Sequence, residues 1–432
     1  MRTSTCVLLA LTAGVAGGLV AETRPAFDDL VANLKSPNVK TRLEAAAELG
    51  RSRRREAVAP LAGLVRDPEP KVRLEMVRAL RQLRDLSAVP TLATSLGDGD
   101  PKIREEVVTT LVELYTERER GGAVDRFLEV FSDEDERAAL PLHTPADQAV
   151  YDGLARLLSD AEPSVRRQAA FALGILDGRS AVRELQNALQ DGDDGVRAAA
   201  ASALGKVGAP DDGRALVPLV TDPSSQVRQR ALRSLGVLKT RAAGPALREV
   251  YESSRSKDAG LAVLEALSRL EDPAQADLFK RLVQDPDPSK KRLAIEGLAR
   301  IADASLLPLF KKDYQRARDE DLRLALAFAL ARLGDQAFID SLVLCLPSRT
   351  LGLRCRGYLV ELSPAVVPEL YTYLNDPDAE IRATLCDVLG AVGDGQSAAR
   401  LQPLVQDPSA KVSDAANRAI ERLRRSAAAG GR

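Results

Sequence analysis

A chain of 432 residues with 45% hydrophobic side chains can bury a sizeable core, but with 3% aromatics and no Trp that core must be Ala, Leu and Val. Charge is high and balanced, 61 Lys+Arg against 62 Asp+Glu, so nothing in the net charge drives the chain toward nucleic acid or anionic membranes. A single histidine, His143, excludes catalysis and metal binding that rest on paired or clustered imidazoles.

The first element in chain order is a targeting segment. Arg2 supplies a minimal positive start, Cys6 to Val20 is uncharged, and charges resume at Glu22. Residues 1–21 therefore read as a signal peptide cleaved after Ala21, which directs the mature chain to the periplasm or outside the cell. Anchoring by an uncleaved N-terminal helix is the alternative. No second apolar run is long enough to span a bilayer, so no membrane insertion is expected after cleavage.

From residue 22 to 425 the chain repeats. Asp160, Asp191 and Asp222 are spaced by 31 residues, and each is followed six residues later by Arg166, Arg197 or Arg228. Leu173-Gly174, Leu204-Gly205 and Leu235-Gly236 close the same frame. Asp67/Arg73, Asp98/Arg104 and Asp376/Arg382 continue it outward, while Ser36/Arg42, Ala317/Arg323 and Ser348/Arg354 keep the Arg alone. Ser253 and Ala259 keep neither, and Asp407 keeps its Asp. Ser36 to Asp407 spans about twelve steps, implying thirteen units. One of them is atypical, at about 115–146, and the interval from Ser348 to Asp376 is shortened to 28 residues.

Each unit reads as two helices. Around Asp160, Val150, Leu154, Leu157 and Leu158 form one apolar stripe, and Val165, Ala169, Leu173 and Leu176 form the second. The Asp reads as the N-cap of the second helix. The Pro that follows it, at Pro68, Pro223, Pro286, Pro377 and Pro408, reads as the first helical residue. Gly174 and its equivalents allow the next helix to approach, and Asp177-Gly178 and Gly208 stop the helix. The last helix, Ser413 to Arg425, has the polar face of a capping unit, and residues 426–432 are expected to form a disordered tail.

This arrangement resembles the HEAT repeat family. Its 31-residue period and Asp-x5-Arg…Ala-x3-Leu-Gly pattern look most like the bacterial phycobilisome-lyase-type HEAT-like repeats, over Phe27 to Leu423. The resemblance implies an all-α fold, an α-solenoid of about thirteen HEAT-like helical hairpins. It also implies that the Asp and Arg rows form a structural ladder, with Arg bonding Asp and loop carbonyls within and between repeats.

The search for chemistry assigns no catalytic, cofactor-binding or metal-binding residue. His143 stands on a loop before a helix. Deoxyhypusine hydroxylase, a HEAT-like enzyme that holds iron through His-Glu pairs, is not supported, because no such pair exists here. Bilin lyase-like activity conflicts with a signal peptide. The acidic run Asp133 to Glu136 lacks the Gly-punctuated loop of a Ca²⁺ site and reads as a solvated face. For nucleic acid, the second-helix wall, normally concave, would have to be a basic stripe. Its expected exposed positions instead alternate in charge, from Glu105, Glu106 and Thr109, through Arg167, Gln168 and Phe171 and then Ala198, Ala199 and Ser202, to Gln229, Arg230 and Arg233.

The function expected is a non-catalytic protein–protein interaction scaffold or adaptor, with a protein or peptide ligand on the concave face near Phe171, Arg230 and Arg233. A family-related enzyme and a nucleic-acid-binding protein are the alternatives. No feature of the sequence sets an oligomeric state. Of the cysteines left after processing, Cys386 reads as a small buried residue. Cys345 and Cys355 can bridge only in an oxidising compartment, and the sequence leaves that pairing open.

Overall fold

The computed structural model describes residues 26–116, 146–393 and 395–430. The expected signal segment, residues 1–21, His143 and the Asp133–Glu136 run lie outside the described residues. The fold is an all-α solenoid, and among the described residues every helical element is an α-helix or a 3-10 helix. The chain divides into two compact units at Leu83 and Arg84. The first contains two helical hairpins and the second ten, among the described residues.

One hairpin shows why the elements form. Gln148–Leu157 buries Val150, Leu154 and Leu157 along one side. Pro163–Ile175 begins on Pro163, whose fixed φ suits a first helical position, and buries Val165, Ala169, Ala170 and Leu173. Small residues then set the spacing to the next hairpin. A Cβ added to Gly174 would lie 2.9 Å from the Ala203 Cα, and one at Gly390 would lie 2.8 Å from the Ala419 Cα.

The helix ends differ from the sequence reading. The repeating Asp is not the cap. In the helix Asp194–Val207 the cap is Asp193, whose Oδ1 accepts from the Val196 N–H at 2.9 Å. Asp191 stands two residues earlier and accepts from the Asp193 N–H at 2.9 Å. Asp98 and Asp376 precede the caps Asp100 and Asp378 in the same way. The turn leaves the Asp carboxylate facing outward, free to bond another hairpin. Pro68, Pro223, Pro286, Pro377 and Pro408 consequently sit in this turn, while Pro101, Pro163 and Pro288 occupy the helix starts.

The helix stops fall where the sequence puts them. Just past Pro163–Ile175, Asp177 takes the left-handed conformation (φ 57°), and Gly208 is the C-cap of Asp194–Val207. Arg53, Arg84, Lys239, Glu271 and Ala302 do the same near their helix ends, at φ between 53° and 61°.

The atypical unit expected at about 115–146 falls almost wholly outside the described residues. Thr116 ends the description on one side and Ala146 resumes it on the other. The flanking hairpins pack directly on each other: Gly153 lies under the Leu96 side chain, and Arg104 donates from Nη2 to Asp160 at 2.6 Å. The segment's two ends are pinned together, since the Tyr115 hydroxyl accepts from the Asp147 N–H at 3.4 Å. Twelve hairpins are described where thirteen units were expected, and the remaining unit lies in residues 117–145, outside the described residues.

At the C-terminus the last helix runs Ala410–Gly430, through much of the stretch expected to be a disordered tail. Ala427-Ala428-Ala429 is the physical reason, because Ala has the highest helix propensity.

Candidate functional site

The Asp and Arg rows form bonds between successive hairpins. Arg166 donates from Nε and Nη2 to both carboxylate oxygens of Asp191, at 2.7 and 2.8 Å, and from Nη1 to the Asp160 carbonyl at 2.8 Å. Arg197 repeats this on Asp222, at 2.9 and 3.0 Å, and on the Asp191 carbonyl. Arg42–Asp67 and Arg382–Asp407 are further copies. Arg73 and Arg104 bond the carbonyls of Asp67 and Asp98. The arginines hold Asp191, Asp222 and Asp407 below the usual carboxylate range by direct hydrogen bonds. These donors are turned into the fold, so the row is not an open anion track.

The ladder breaks where the Asp is lost. Arg228 bonds the carbonyls of Asp222 and Pro223, but Ser253 stands where the next carboxylate would be. Arg323 faces Ser348 in register and lies instead over the Tyr314 ring, 4.8 Å from its centre. Arg354 turns to Asp321 at 2.6 Å. Asp376 accepts from the Asp378 N–H.

Within this interrupted stretch a different device ties the second helices together. The helix Glu320–Arg332 is buried without a break from Leu324 to Ala331. A helix apolar on all sides must be covered on all sides. The cover comes from the second helices on either side, Pro288–Ile301 and Gly352–Leu362, and from the first helices Leu307–Arg316 and Ile339–Leu344. Arg300 donates to both oxygens of Glu361, at 2.7 and 3.0 Å, and the Tyr358 hydroxyl donates to Glu296 at 2.7 Å. Both links span two hairpins. Arg292 donates to Glu296 at 2.6 Å, Arg300 to the Ser268 hydroxyl at 3.2 Å, and Tyr358 stacks on Phe328 with centroids 4.5 Å apart. Burial alone would raise the Glu296 carboxyl, but Arg292 and Arg300 outweigh it and hold it well below the usual range. Burial, with Glu296 beside it, pushes the Tyr358 hydroxyl up. The second-helix face is sealed here.

Beyond the seal the face opens again. A groove of about 550 Å³ runs over the second helices of the last three hairpins, from Leu353 to Ala383 and Ala415. Leu353 is 51% exposed. Cys345 and Cys355 form a disulfide, with Cα atoms 6.2 Å apart, and the chain between them makes one wall. Two carboxylates in the groove are already paired, Glu380 with Lys411 and Asp387 with Arg418 at 3.6 Å. Burial pushes the Asp387 carboxyl up. Cys386 is fully buried, and burial raises its thiol to about 12.

The residues expected to bind a partner lie elsewhere. Phe171 is on Pro163–Ile175, and Arg230 and Arg233 are on Ser225–Leu238; all three are half-buried and engaged within the chain. Ala198 and Ser202, expected to be exposed on the same wall, are buried at 3% and 7%, because the close-packed helix Asp194–Val207 is covered on that side too. Sequence reasoning missed the seal and the groove. Their signals were the run Leu324 to Ala331, apolar at every position, and the two cysteines, Cys345 and Cys355, on either side of the start of the shortened interval. Among the described residues, no group of His, Cys, Asp and Glu is placed to hold a metal ion, and no helix is long and apolar enough to cross a membrane.

The sequence matches the family model for HEAT repeats at residues 27–98, 59–140, 152–226, 213–284 and 276–354. Among solved structures, an engineered protein is 20% identical over 92% of this chain and 98% of its own, with a TM-score of 0.37. The complex of CpcE and CpcF of phycocyanin lyase from Nostoc sp. PCC7120 is 21% identical over 66% of this chain and 98% of its own, with a TM-score of 0.29. No curated protein matches the chain.

Proposed function

The chain belongs to the HEAT-repeat family, and on that premise we propose that it is a non-catalytic scaffold or adaptor holding protein segments on its second-helix face, in the periplasm or outside the cell. Stacked hairpins bury their apolar sides against one another and leave a long face for many small contacts. The observation that carries the reading is the groove over the last three hairpins, with Leu353 exposed in it, next to a stretch where the same face is sealed. Such clefts, part apolar with a few placed charges, are the usual form of a binding site. The Cys345–Cys355 disulfide supports the location, since such bonds persist in oxidising compartments.

The test uses a photo-crosslinking residue at Leu353 and, as a control, at Leu309, which is 37% exposed on the helix Leu307–Arg316 outside the groove. In native-host cells, a discrete protein adduct at Leu353 and none at Leu309 is expected, with a mature N-terminus at Glu22. Equal labelling at both positions, or none at either, would refute the scaffold reading. An intact Met1 in the cytosol would refute the location.

A further inference from the structure

The middle run of the ladder stops one carboxylate short. Arg104–Asp160, Arg166–Asp191 and Arg197–Asp222 are closed rungs, and the next guanidinium, Arg228, meets no carboxylate. Arg228 is nonetheless held as its predecessors are. Its Nη1 donates to the carbonyls of Asp222 at 2.6 Å and Pro223 at 3.0 Å, as Arg197 Nη1 does to those of Asp191 at 2.9 Å and Gly192 at 3.3 Å. In Arg166 and Arg197 this hold aims Nε and Nη2 at the carboxylate of the following hairpin. Among the described residues, no group takes the Nε or Nη2 of Arg228.

The facing turn explains the gap. In sequence register the missing Asp falls at Ser253, but the turn comes one residue later and Ser254 holds the rung position. Its N–H bonds the Tyr251 carbonyl as that of Asp222 bonds the Leu219 carbonyl, and the helix cap Ser256 stands two residues on, as Asp193 does from Asp191. Both hydroxyls are used within the turn: Ser253 Oγ donates to the Val250 carbonyl at 3.3 Å, and Ser254 Oγ to the Ser256 carbonyl at 3.1 Å. Nearby carboxylates are engaged elsewhere. Asp222 lies close to Arg228, but both its oxygens are taken by Arg197. Arg248 holds Glu252 at 3.1 Å, and Lys257 holds Asp287 at 2.8 Å. Asp258 is exposed in the first turn of Lys257–Arg269 and does not bond Arg228. Arg228 and Ser254 are both half-buried, so the fork is reached from solvent.

We infer that Arg228 forms a carboxylate-binding site, in which an incoming carboxylate enters beside Ser254 and takes Nε and Nη2 as the missing rung would. The chemistry is that of the closed rungs at Asp67, Asp191, Asp222 and Asp407, where the planar guanidinium fork meets a planar carboxylate through two parallel bonds. Two carbonyls fix the guanidinium through Nη1 before a ligand arrives, which lowers the ordering cost of binding. The site lies on another hairpin from the groove at Leu353. It goes beyond the scaffold reading, and its failure would leave the Leu353 crosslink untouched.

The experiment reads the arginine Nε–H signals of the full chain by NMR, with ¹⁵N-labelled arginine. Arg228→Lys and Arg197→Lys assign the two signals by their loss. Sodium acetate is titrated to about 300 mM against sodium chloride at equal ionic strength, at about pH 6, where acetate is ionised. The Arg228 signal should move downfield with acetate and not with chloride, toward the position of Arg197. It should saturate with a Kd on the order of 10–100 mM, as one bidentate pair in contact with solvent allows. The Arg197 signal, already bonded to Asp222, should stay. A peptide of Ala and Gly with blocked ends and one central Asp separates the sources of the carboxylate. Binding at least as tight as acetate assigns the site to a chain segment, and weaker binding assigns it to a free carboxylate; the same peptide with Asn should not move the signal. Ser254→Asp should close the rung from within. The Arg228 signal then starts at the shifted position, acetate no longer moves it, and hydrogen exchange in residues 225–269 slows several-fold. The inference is overturned if acetate moves Arg228 no further than chloride does, if it moves Arg197 equally, or if Ser254→Asp leaves the acetate response intact.

Discussion

Replacing Arg300 by Ala would break the seal over the helix Glu320–Arg332. The Arg300 side chain is 6% exposed. It makes two bonds to Glu361 and one each to the Ser268 hydroxyl and Glu296, and it lies over the Phe328 ring at 5.4 Å. Truncation removes all of these and leaves the Glu361 carboxylate without its bidentate partner. Removing one member of a buried pair costs about 3–5 kcal/mol. The lower end, about 3 kcal/mol, applies here for two reasons. Glu361 is 28% exposed, so water compensates part of the loss, and Glu296 keeps Arg292 and Tyr358. Glu361→Gln is the informative partner variant. It keeps shape and an acceptor, and leaves Arg300 bonded to Glu296 and Ser268, so about 1 kcal/mol is expected. A long repeat array does not unfold as one unit, so a single melting temperature is a poor readout. Hydrogen exchange against urea on peptides from 288–362 measures the stretch directly. Protection unchanged by Arg300→Ala, or an equal loss from Glu361→Gln, would refute the reasoning.

Arg197→Ala removes a ladder pair whose side chains are 14% and 6% exposed, and should cost about 1–3 kcal/mol, read as earlier urea-induced exchange in residues 182–238. The acid dependence follows from carboxyls held below their usual range. Asp191, Asp222, Asp407 and Glu296 bind fewer protons folded than unfolded, so the stability they contribute is full above the unfolded range near pH 4 and is lost as pH falls further. Urea midpoints should be flat from pH 7 to about pH 5 and drop steeply toward pH 3; a midpoint that rises on acidification would contradict this. Gly390→Ala drives a Cβ to 2.8 Å from the Ala419 backbone and should destabilise by about 1–3 kcal/mol, whereas Gly357→Ala meets nothing within 4 Å in an exposed helix position and should stabilise by about 0.5–1 kcal/mol. The two should shift urea midpoints in opposite directions.

The repeat, its two-helix unit and the close approach at Gly174 were legible because they are local. Ala and Leu at helical spacing determine which sides are buried, and a missing side chain determines where helices can touch. The same locality explains what was misread. Asp191 and Asp193 are both plausible caps by residue type, and the bond that Asp191 makes instead is to Arg166, which belongs to another hairpin 25 residues away. The partner residues Phe171, Arg230 and Arg233 were chosen by residue type, an aromatic with arginines on the wall of the middle units, and the structure shows all three half-buried.

What the sequence by itself determined, then, is an all-α solenoid with its apolar faces and its phased Asp and Arg rows. The tertiary structure decided how the hairpins close on one another. It joined Arg104 to Asp160 across the atypical segment, brought Glu296 to Tyr358 and Arg300 to Glu361 over a buried helix, and left Leu353 open beside a disulfide. The physical reason is that each step between hairpins is a small rotation set by packing. Contacts that span two hairpins, such as Arg300 to Glu361, depend on that packing and not on any one unit's sequence.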